Sequence, residues 1–462
     1  MTTSPNREHA VVIGAGMAGL LAAHVLTGHF RKVTLVDRDR FPDQPGFRKG
    51  VPQSRHTHLL LGLGLTSMER LLPGIRAEFI ADGAVPLKFP TDACWLSPVG
   101  WYERFDNGMS FVSASRDLFE WTVRQRVLRS ARLEVMTGTE AVALLPASDG
   151  KGITGVQLTS RPDGTTIQLA ADLVLDASGR SSRAPEWLAA LGWPAVAEKS
   201  APTGVGYASR LYAIPDSPPP DWKFMLLQTQ PPEHTRSGML LPVDGDRWMV
   251  SLVGVGGDNP PTSDEGFLEF ARSLRSDVLY ETIRDAIAVT PVHGFRVPDS
   301  RRRRYHKLRP WPTGFALVGD AVCSLNPMYA QGMSIAAATA LVLDDHLRRS
   351  AAPLSRRFQR RVAKVAADAW LVSGTEDLRY LAAGQQTRRP LYLTFMQGYF
   401  DRVMIAGAID AHVSAAMVRV LNLQARPFSL LRPTIAVRSL LATRRARSVS
   451  YESPRRKEHS RA

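Results

Sequence analysis

The chain has 462 residues, 44% of them apolar and 22% charged, with a net charge of +15. This balance suits a folded protein long enough for two or three domains and excludes disorder over most of its length. Only Cys94 and Cys323 are present, too few for a disulfide framework or a metal-ligand spacing, and no run reaches about 18 apolar residues, so no membrane-spanning helix and no metal are expected.

The start, MTTSPNREHA, is polar and leads into a strand, so no secretory leader is expected and the cytoplasm is the expected compartment. Residues 9–13 form a short apolar β run, 17–27 have helical spacing, and 32–36 are β-branched again. Strand, helix and strand in so short a span predict a parallel crossover. A helix is expected over 115–129, then a strand at 133–136. A hairpin turning at Pro162-Asp163-Gly164 should follow, leading into a buried strand at 173–176. From about 200 to 305 the pattern turns to strands, TGVGYASRLYAI, WKFMLLQTQ, SGMLLPV and RWMVSLVGV, with a proline spacer at 217–220 and one helix at 264–276. Beyond residue 340 the chain reads as mostly helical to about Thr443.

The first chemical signal is Gly14-x-Gly16-x-x-Gly19 between the first strand and the first helix. Gly14 permits the tight turn, Gly16 admits a pyrophosphate against the backbone, and Gly19 lets helix and strand close up. Asp37 follows at the end of the next strand, where an acid accepts hydrogen bonds from a ribose. These residues together predict a dinucleotide site. The second signal is GFALVGDAVCSLNPMYAQGMSIAAATA, residues 314–340. Asp320 at a strand end is placed to bond a ribityl hydroxyl, which a nicotinamide cofactor lacks. The helix opening at Gly332 would aim its positive end at a reduced flavin ring, an interaction worth about 0.3–2 kcal/mol. Pro327 would stiffen the loop beside that ring.

GAGMAG with Asp37, DLVLDASGRSSR (173–183) and GFALVGDAVCSLNPMYAQGM resemble the three ordered motifs of the group A, aromatic-hydroxylase-like FAD monooxygenases. FRKGVPQSRHTHLLLGLG, ERLLPG, SASRDLFEWTVRQRVL and DAWLVSGTEDLRY further resemble bacterial polyene epoxidases of polyether antibiotic pathways. The resemblance implies an α/β fold: an FAD-binding Rossmann-like domain of the glutathione-reductase/aromatic-hydroxylase type, with an inserted, mainly β substrate domain and a helical C-terminal region. On this basis the FAD-binding parts would be 1–80, 113–199 and 306–350. The substrate domain would take 81–112 and 200–305, with a helical region at 351–445 and a basic tail at 446–462.

By the same resemblance, Gly14, Gly16, Gly19 and Asp37 hold the FAD pyrophosphate and ribose, and Arg48 and Arg116 contact FAD. Asp176 and Gly179 belong to the motif that touches FAD and, transiently, NAD(P)H. Asp320 binds the ribityl chain, and Pro52, Gln53, Pro327, Gly332 and Met333 border the flavin ring, with 50–53 as the loop over it. The family's usual acid at the ribose position is Glu, so Asp37 is a shorter variant.

Electrons would come from NAD(P)H, directly or through a flavin reductase, and O2 would supply one oxygen by way of a flavin C4a-hydroperoxide. The hard chemistry is the cofactor's, so no protein nucleophile is required. The expected reaction is epoxidation of a lipophilic alkene or polyene in secondary metabolism, with hydroxylation of an aromatic or polyketide ring as the alternative. Tyr207, Tyr212 or a histidine would be the base in that second case. A non-enzymatic prenyl-protein escort of the same fold would have no use for Asp320. Tyr207, Met225, Leu227, Met239, Leu241, Met249 and Ser251 alternate in a way that suits either a substrate cavity or sheet core.

His56 and His58 alternate and point to opposite faces if extended, so one of them is left to bond the FAD loop. The run RRRRYHKL (301–308) reads as a solvated edge strand or as a lure for NADPH phosphate. Ten Arg or Lys against two Glu follow from residue 426 to the end. This tail suits an anionic membrane, an acidic protein such as an acyl carrier protein, or plain solvation. Nucleic acid ranks last, because the charges lack the interleaved aromatics that a base-stacking surface would use.

Overall fold

The computed structural model describes residues 7–215, 220–350, 352–381 and 391–446. Most of the proline spacer at 217–220, and the basic tail beyond Ala446, lie outside the described residues. The chain forms two compact units. The first gathers residues 1–82, 115–203 and 297–373; the second gathers 83–114, 204–296 and 374–462. The C-terminal helices are shared between the two units. The helix Arg356–Leu381 crosses the division at 373/374, and everything after it belongs to the β-rich unit.

In the first unit five parallel strands are ordered Phe315–Leu317, Leu173–Asp176, His9–Ile13, Lys32–Asp37 and Leu133–Thr137. The near-continuous burial of the first four explains why the sequence writes them as apolar runs rather than alternations, whereas Leu133–Thr137 is a half-exposed edge. Register decides where the loops emerge. Ile13 pairs with both Asp176 and Val36, and Asp176 pairs with Leu317, so the loops after these strands leave the same edge together. That edge carries the carboxyl ends of the strands, where open α/β sheets bind ligands. The hairpin Ile153–Ser160 and Thr166–Ala170 joins Thr139–Pro146 in a separate three-stranded sheet.

The helix Gly332–Arg349 packs against Met17–Thr27 and Gly62–Leu71. Its run of small residues has a steric cause: a Cβ on Gly64 would come within 2.5 Å of Ser334 Oγ. Gly319 is required for two reasons. Its φ is +63°, and a Cβ there would meet the Ala18 methyl at 2.7 Å.

In the second unit, consecutive strands of the main sheet are Glu198–Ala213 (from Gly204 on), Arg247–Gly254, Arg236–Val243, Phe224–Leu227, Ala93–Ser97 and Gly100–Trp101. One face is sealed by the helices Asp264–Arg272 and Val278–Ile283; Phe267, Phe270, Leu279 and Ile283 are buried there against Ala208, Trp248, Val250 and Leu252. The helix expected at 264–276 thus ends at Arg272, and a second one, Val278–Ile283, follows it.

Candidate functional site: a dinucleotide cradle at the strand ends

The glycine loop has the required geometry. Gly14 adopts φ +94°, and its N–H donates to Val36 O at 2.8 Å. A Cβ on Gly19 would lie 1.7 Å from Gly14 O, so only glycine lets the helix start so close to the strand. A Cβ on Gly16 would meet nothing within 4 Å, which leaves open space above the first turn of Met17–Thr27. Backbone N–H groups at a helix start beside such a space form an anion cradle.

Asp37 is buried and holds the loop. Its Oδ2 accepts from Ala15 N at 2.6 Å, and its Oδ1 accepts from Asp39 N at 2.8 Å. Asp39 Oδ2 in turn accepts from Gly50 N at 2.6 Å, which ties down the start of the 50–53 loop. Arg48 lies behind this arrangement, only 5% exposed. Its Nε donates to Glu120 Oε1 at 2.8 Å, one terminal nitrogen donates to Ala15 O at 3.0 Å, and the other lies 3.2 Å from Asp37. With every nitrogen engaged by protein acceptors, Arg48 supports the glycine loop.

Arg116 opens the helix Arg116–Leu128, which Ser115 caps by accepting from Leu118 N at 3.1 Å. It donates to Glu120 Oε2 at 2.8 Å, while its buried Nε has no partner among the described residues. Glu120 sits between two guanidiniums and was missed by the sequence reading; the usable signal was its i,i+4 spacing from Arg116. Burial alone would raise its pKa, but Arg116 and Arg48 outweigh burial and hold it below the usual range.

Asp176 is fully enclosed. Ser178 N and Oγ donate to its Oδ1 at 2.8 and 2.6 Å, and Ser182 Oγ donates to its Oδ2 at 2.6 Å. Asp176 therefore shapes the turn rather than reaching out of it, and Gly179, at φ +81° with nothing within 4 Å of a Cβ, is the open point of that turn. Arg180 leaves the same turn and donates to Asp299 O at 2.8 Å and to Ser324 Oγ at 3.1 Å.

Asp320 behaves differently. It is exposed, yet crowding protein pushes its pKa up, with Arg116 and Arg180 pulling it down. Among the described residues nothing donates to its carboxylate. A reachable but enclosed acid beside two arginines is what the rim of a cleft provides. Nearby, Pro327 and Gly332 are exposed, Met333 is buried, and a Cβ on Gly332 would meet nothing within 4 Å. Pro52 is exposed and Gln53 half-buried in the turn Pro52–Arg55. His58 Nδ1–H donates to His56 O at 2.8 Å, and burial, then Arg116, push His58 down to about 4. It is a neutral neighbour of the arginine cluster.

The cradle over Gly16, the unpartnered Arg116 Nε and the unsatisfied Asp320 carboxylate fit the phosphates and sugar alcohol of FAD. Other expectations fail. Arg301 and Arg302 pair with Ser324 and Cys323, and Arg303 N donates to Val322 O at 2.9 Å, so the run lies within the sheet, not at a solvated edge. Arg303 is buried, Arg301 and Arg303 face Glu198 at 3.2 Å, and Arg302 donates to Ala363 O at 3.0 Å. They leave little for an NADPH phosphate.

In the second unit the substrate candidates divide by parity. Met225 pairs with Leu240, and Leu240 with Val250, which places Met225 and Leu227 in the helix-covered core. They are not cavity residues. Met239, Leu241, Met249, Ser251 and Tyr207 occupy the opposite face, with Met239 half-buried. Tyr207, Asp377, Tyr380 and Glu376 interact electrostatically, and Thr229 and Tyr380 share a hydrogen bond of 2.5 Å. Burial drives the Tyr207 hydroxyl well above its usual value and Tyr380 to about 12. Burial also pushes Glu376 up to about 7, against the pull of Arg379 at 2.9 Å. Cys94 and Cys323 are buried and pushed up to about 12, which leaves them inert. Among the described residues no cluster could hold a metal, and no helix is long and apolar enough to cross a membrane.

A family model described as FAD binding domain matches residues 7–350. Protein Rv3254 of Mycobacterium tuberculosis is 32% identical over 397 residues, covering 81% of each chain. A flavoprotein/dehydrogenase from Cytophaga hutchinsonii superposes with a TM-score of 0.63 at 16% identity, over 95% of this chain and 98% of that one. PqsL, a probable FAD-dependent monooxygenase from Pseudomonas aeruginosa, superposes with a TM-score of 0.59 at 18% identity, over 81% and 99%. The chain belongs to the FAD binding domain family, with the fold of the group A flavoprotein monooxygenases.

Proposed function

We propose that this protein is an FAD-dependent monooxygenase that transfers one oxygen of O2 to a lipophilic alkene or polyene as an epoxide. The observation that carries the cofactor is Asp320, an exposed carboxylate without a donor, at the same sheet edge as the open space over Gly16. Bound FAD, once reduced by NAD(P)H or a partner reductase, supplies the oxygen-activating chemistry.

The chain's own work is binding, orientation and exclusion of water. Gly14, Gly16 and Gly19 hold the pyrophosphate and Arg116 neutralises it. Asp37 takes the ribose and Asp320 the ribityl hydroxyls. Pro52, Gln53, Pro327, Gly332 and Met333 border the ring, and the N-terminus of Gly332–Arg349 favours negative charge there by about 0.3–2 kcal/mol. The sheet face of Met239, Leu241 and Met249, with the hydroxyls of Tyr207 and Ser251 among them, supplies a mainly apolar surface, which suits a substrate held by shape. The test is incubation of the reduced, flavin-loaded protein with candidate polyenes and isotopically labelled O2. Products heavier by one labelled oxygen support the reading; flavin oxidation that never yields oxygenated alkene overturns it.

A second reading rests on Glu376. A carboxyl near 7 is part-ionised at neutral pH and can accept a phenol proton, which hydroxylation of an aromatic ring requires. Phenol-dependent oxygen uptake that Glu376→Gln abolishes would favour that alternative over epoxidation.

A further inference from the structure

We propose that the second unit docks on an anionic lipid bilayer through the turn Pro427–Leu431, the helix Pro433–Ala446 and the start of the helix Leu391–Gly407. The argument begins with the helix. Ile435, Ser439 and Ala442 are buried along one side. Val437, Leu440 and Leu441 are 54%, 51% and 56% exposed. At about 100° per residue the two stripes lie roughly opposite one another, so the helix is apolar both where it packs and where it faces outward.

Its neighbours extend the surface. Phe428 and Leu431 in the preceding turn are 62% and 55% exposed. The adjoining helix, in contact with Pro433–Ala446, exposes Leu391 and Phe395 four residues apart. So many large apolar side chains in neighbouring elements need a partner.

Charge selects it. Arg426 and Arg432 are exposed among these residues, Arg438 is exposed but already pairs with Asp410 at 2.8 Å, and no acid occurs from 426 to 446. Over residues 426–462 the balance is ten basic against two acidic residues. A second copy would set ten such charges against ten more. An acidic soluble protein would satisfy the arginines and leave the leucine and phenylalanine side chains uncovered. An interface of anionic headgroups over acyl chains satisfies both, with aromatic and aliphatic residues entering the acyl boundary and arginines meeting phosphates. Docking of this kind would also place the protein where lipophilic molecules concentrate, but it stands independently of the oxygenation chemistry.

The experiment is co-sedimentation of the full, flavin-loaded chain with phosphatidylcholine vesicles, with and without about one-third phosphatidylglycerol. Each arginine near an anionic surface contributes about fivefold in partition. Partition at least about tenfold stronger onto the anionic vesicles is expected, and raised salt should weaken it. The double variant Leu440→Glu/Leu441→Glu, and separately Phe395→Ser/Phe428→Ser, should each lose about tenfold while keeping the circular dichroism and flavin absorbance of the parent. Two pairs are used so that misfolding of one leaves the test intact. Equal partition onto both vesicles, none onto either, or parent-like partition of both folded variants overturns the proposal. So does a dimeric mass by light scattering that Leu440→Glu/Leu441→Glu makes monomeric without any vesicle partition in the parent, because a second copy is then the occupant.

Discussion

Glu120 in the first unit and Glu376 in the second are shielded glutamates beside arginines, and they titrate in opposite directions. Glu120 meets Arg48 and Arg116 directly, with Arg124 at 4.0 Å, and is held low despite its burial. Among the described residues Glu376 meets only Arg379, which also binds Asp401 at 2.9 Å, while Asp377 adds further negative charge. Burial then prevails and Glu376 rises to about 7. The number of cations per carboxylate separates the two. The first network is neutralised and fixes the glycine loop, whereas the second is under-neutralised and responds to pH near neutrality.

The largest expected effect comes from breaking the first network. Glu120→Ala would leave Arg48 and Arg116 buried without their shared counter-ion, a loss of about 3–5 kcal/mol. Urea denaturation measures it, and flavin content should fall in parallel because Arg48 also holds Asp37 and Ala15. A loss below about 1 kcal/mol would show the network to be dispensable and remove the contrast with Glu376.

Much of the first unit is legible in sequence because its constraints are local. Gly14, Gly16 and Gly19 are dictated by a turn, a cradle and a close approach within six residues, and the doubly buried strands read as apolar runs. What sequence leaves hidden depends on distant partners. Met225, Leu227, Met239 and Met249 all alternate convincingly, but alternation does not say which face the helices cover. The pairing Met225–Leu240 settles that, and cross-strand register is not written in any single strand. Arg301–Arg303 look solvated until Glu198 and the Ala363 carbonyl are brought to them. Glu120 looks like a surface helix residue until Arg48 arrives from 72 positions away.

The next pair of effects sharpens the comparison through pH. Glu376 is raised from 4.5 to about 7, so the folded state holds an extra proton between those values. Its contribution is complete below 4.5 and is lost as pH rises through 7, roughly 2–3 kcal/mol in all. His58 is lowered from 6.5 to about 4, so its contribution is complete above 6.5 and disappears as pH falls through 4, by a similar amount. Denaturation at pH 5 and pH 8 should therefore show Glu376→Gln abolishing part of the alkaline loss, and His58→Gln part of the acid loss. If both variants change the same limb, the assignment of opposite shifts to the two units is wrong.

The smallest effect tests what separates Asp320 from every other acid of the cradle. Asp37, Asp176 and Glu120 each already accept hydrogen bonds from protein donors, so replacing any of them disturbs folding as well as binding. Among the described residues Asp320 has no such donor, and its removal should leave stability within about 0.5 kcal/mol of the parent. The amide of Asp320→Asn keeps one acceptor but loses the charge that strengthens hydrogen bonds from hydroxyls, a difference of about 1–2 kcal/mol. FAD affinity, measured by flavin fluorescence on titration, should weaken about tenfold while the denaturation midpoint holds. A variant that keeps parental FAD affinity would remove Asp320 from the cofactor's contacts; one that unfolds would show its carboxylate to be part of the scaffold after all.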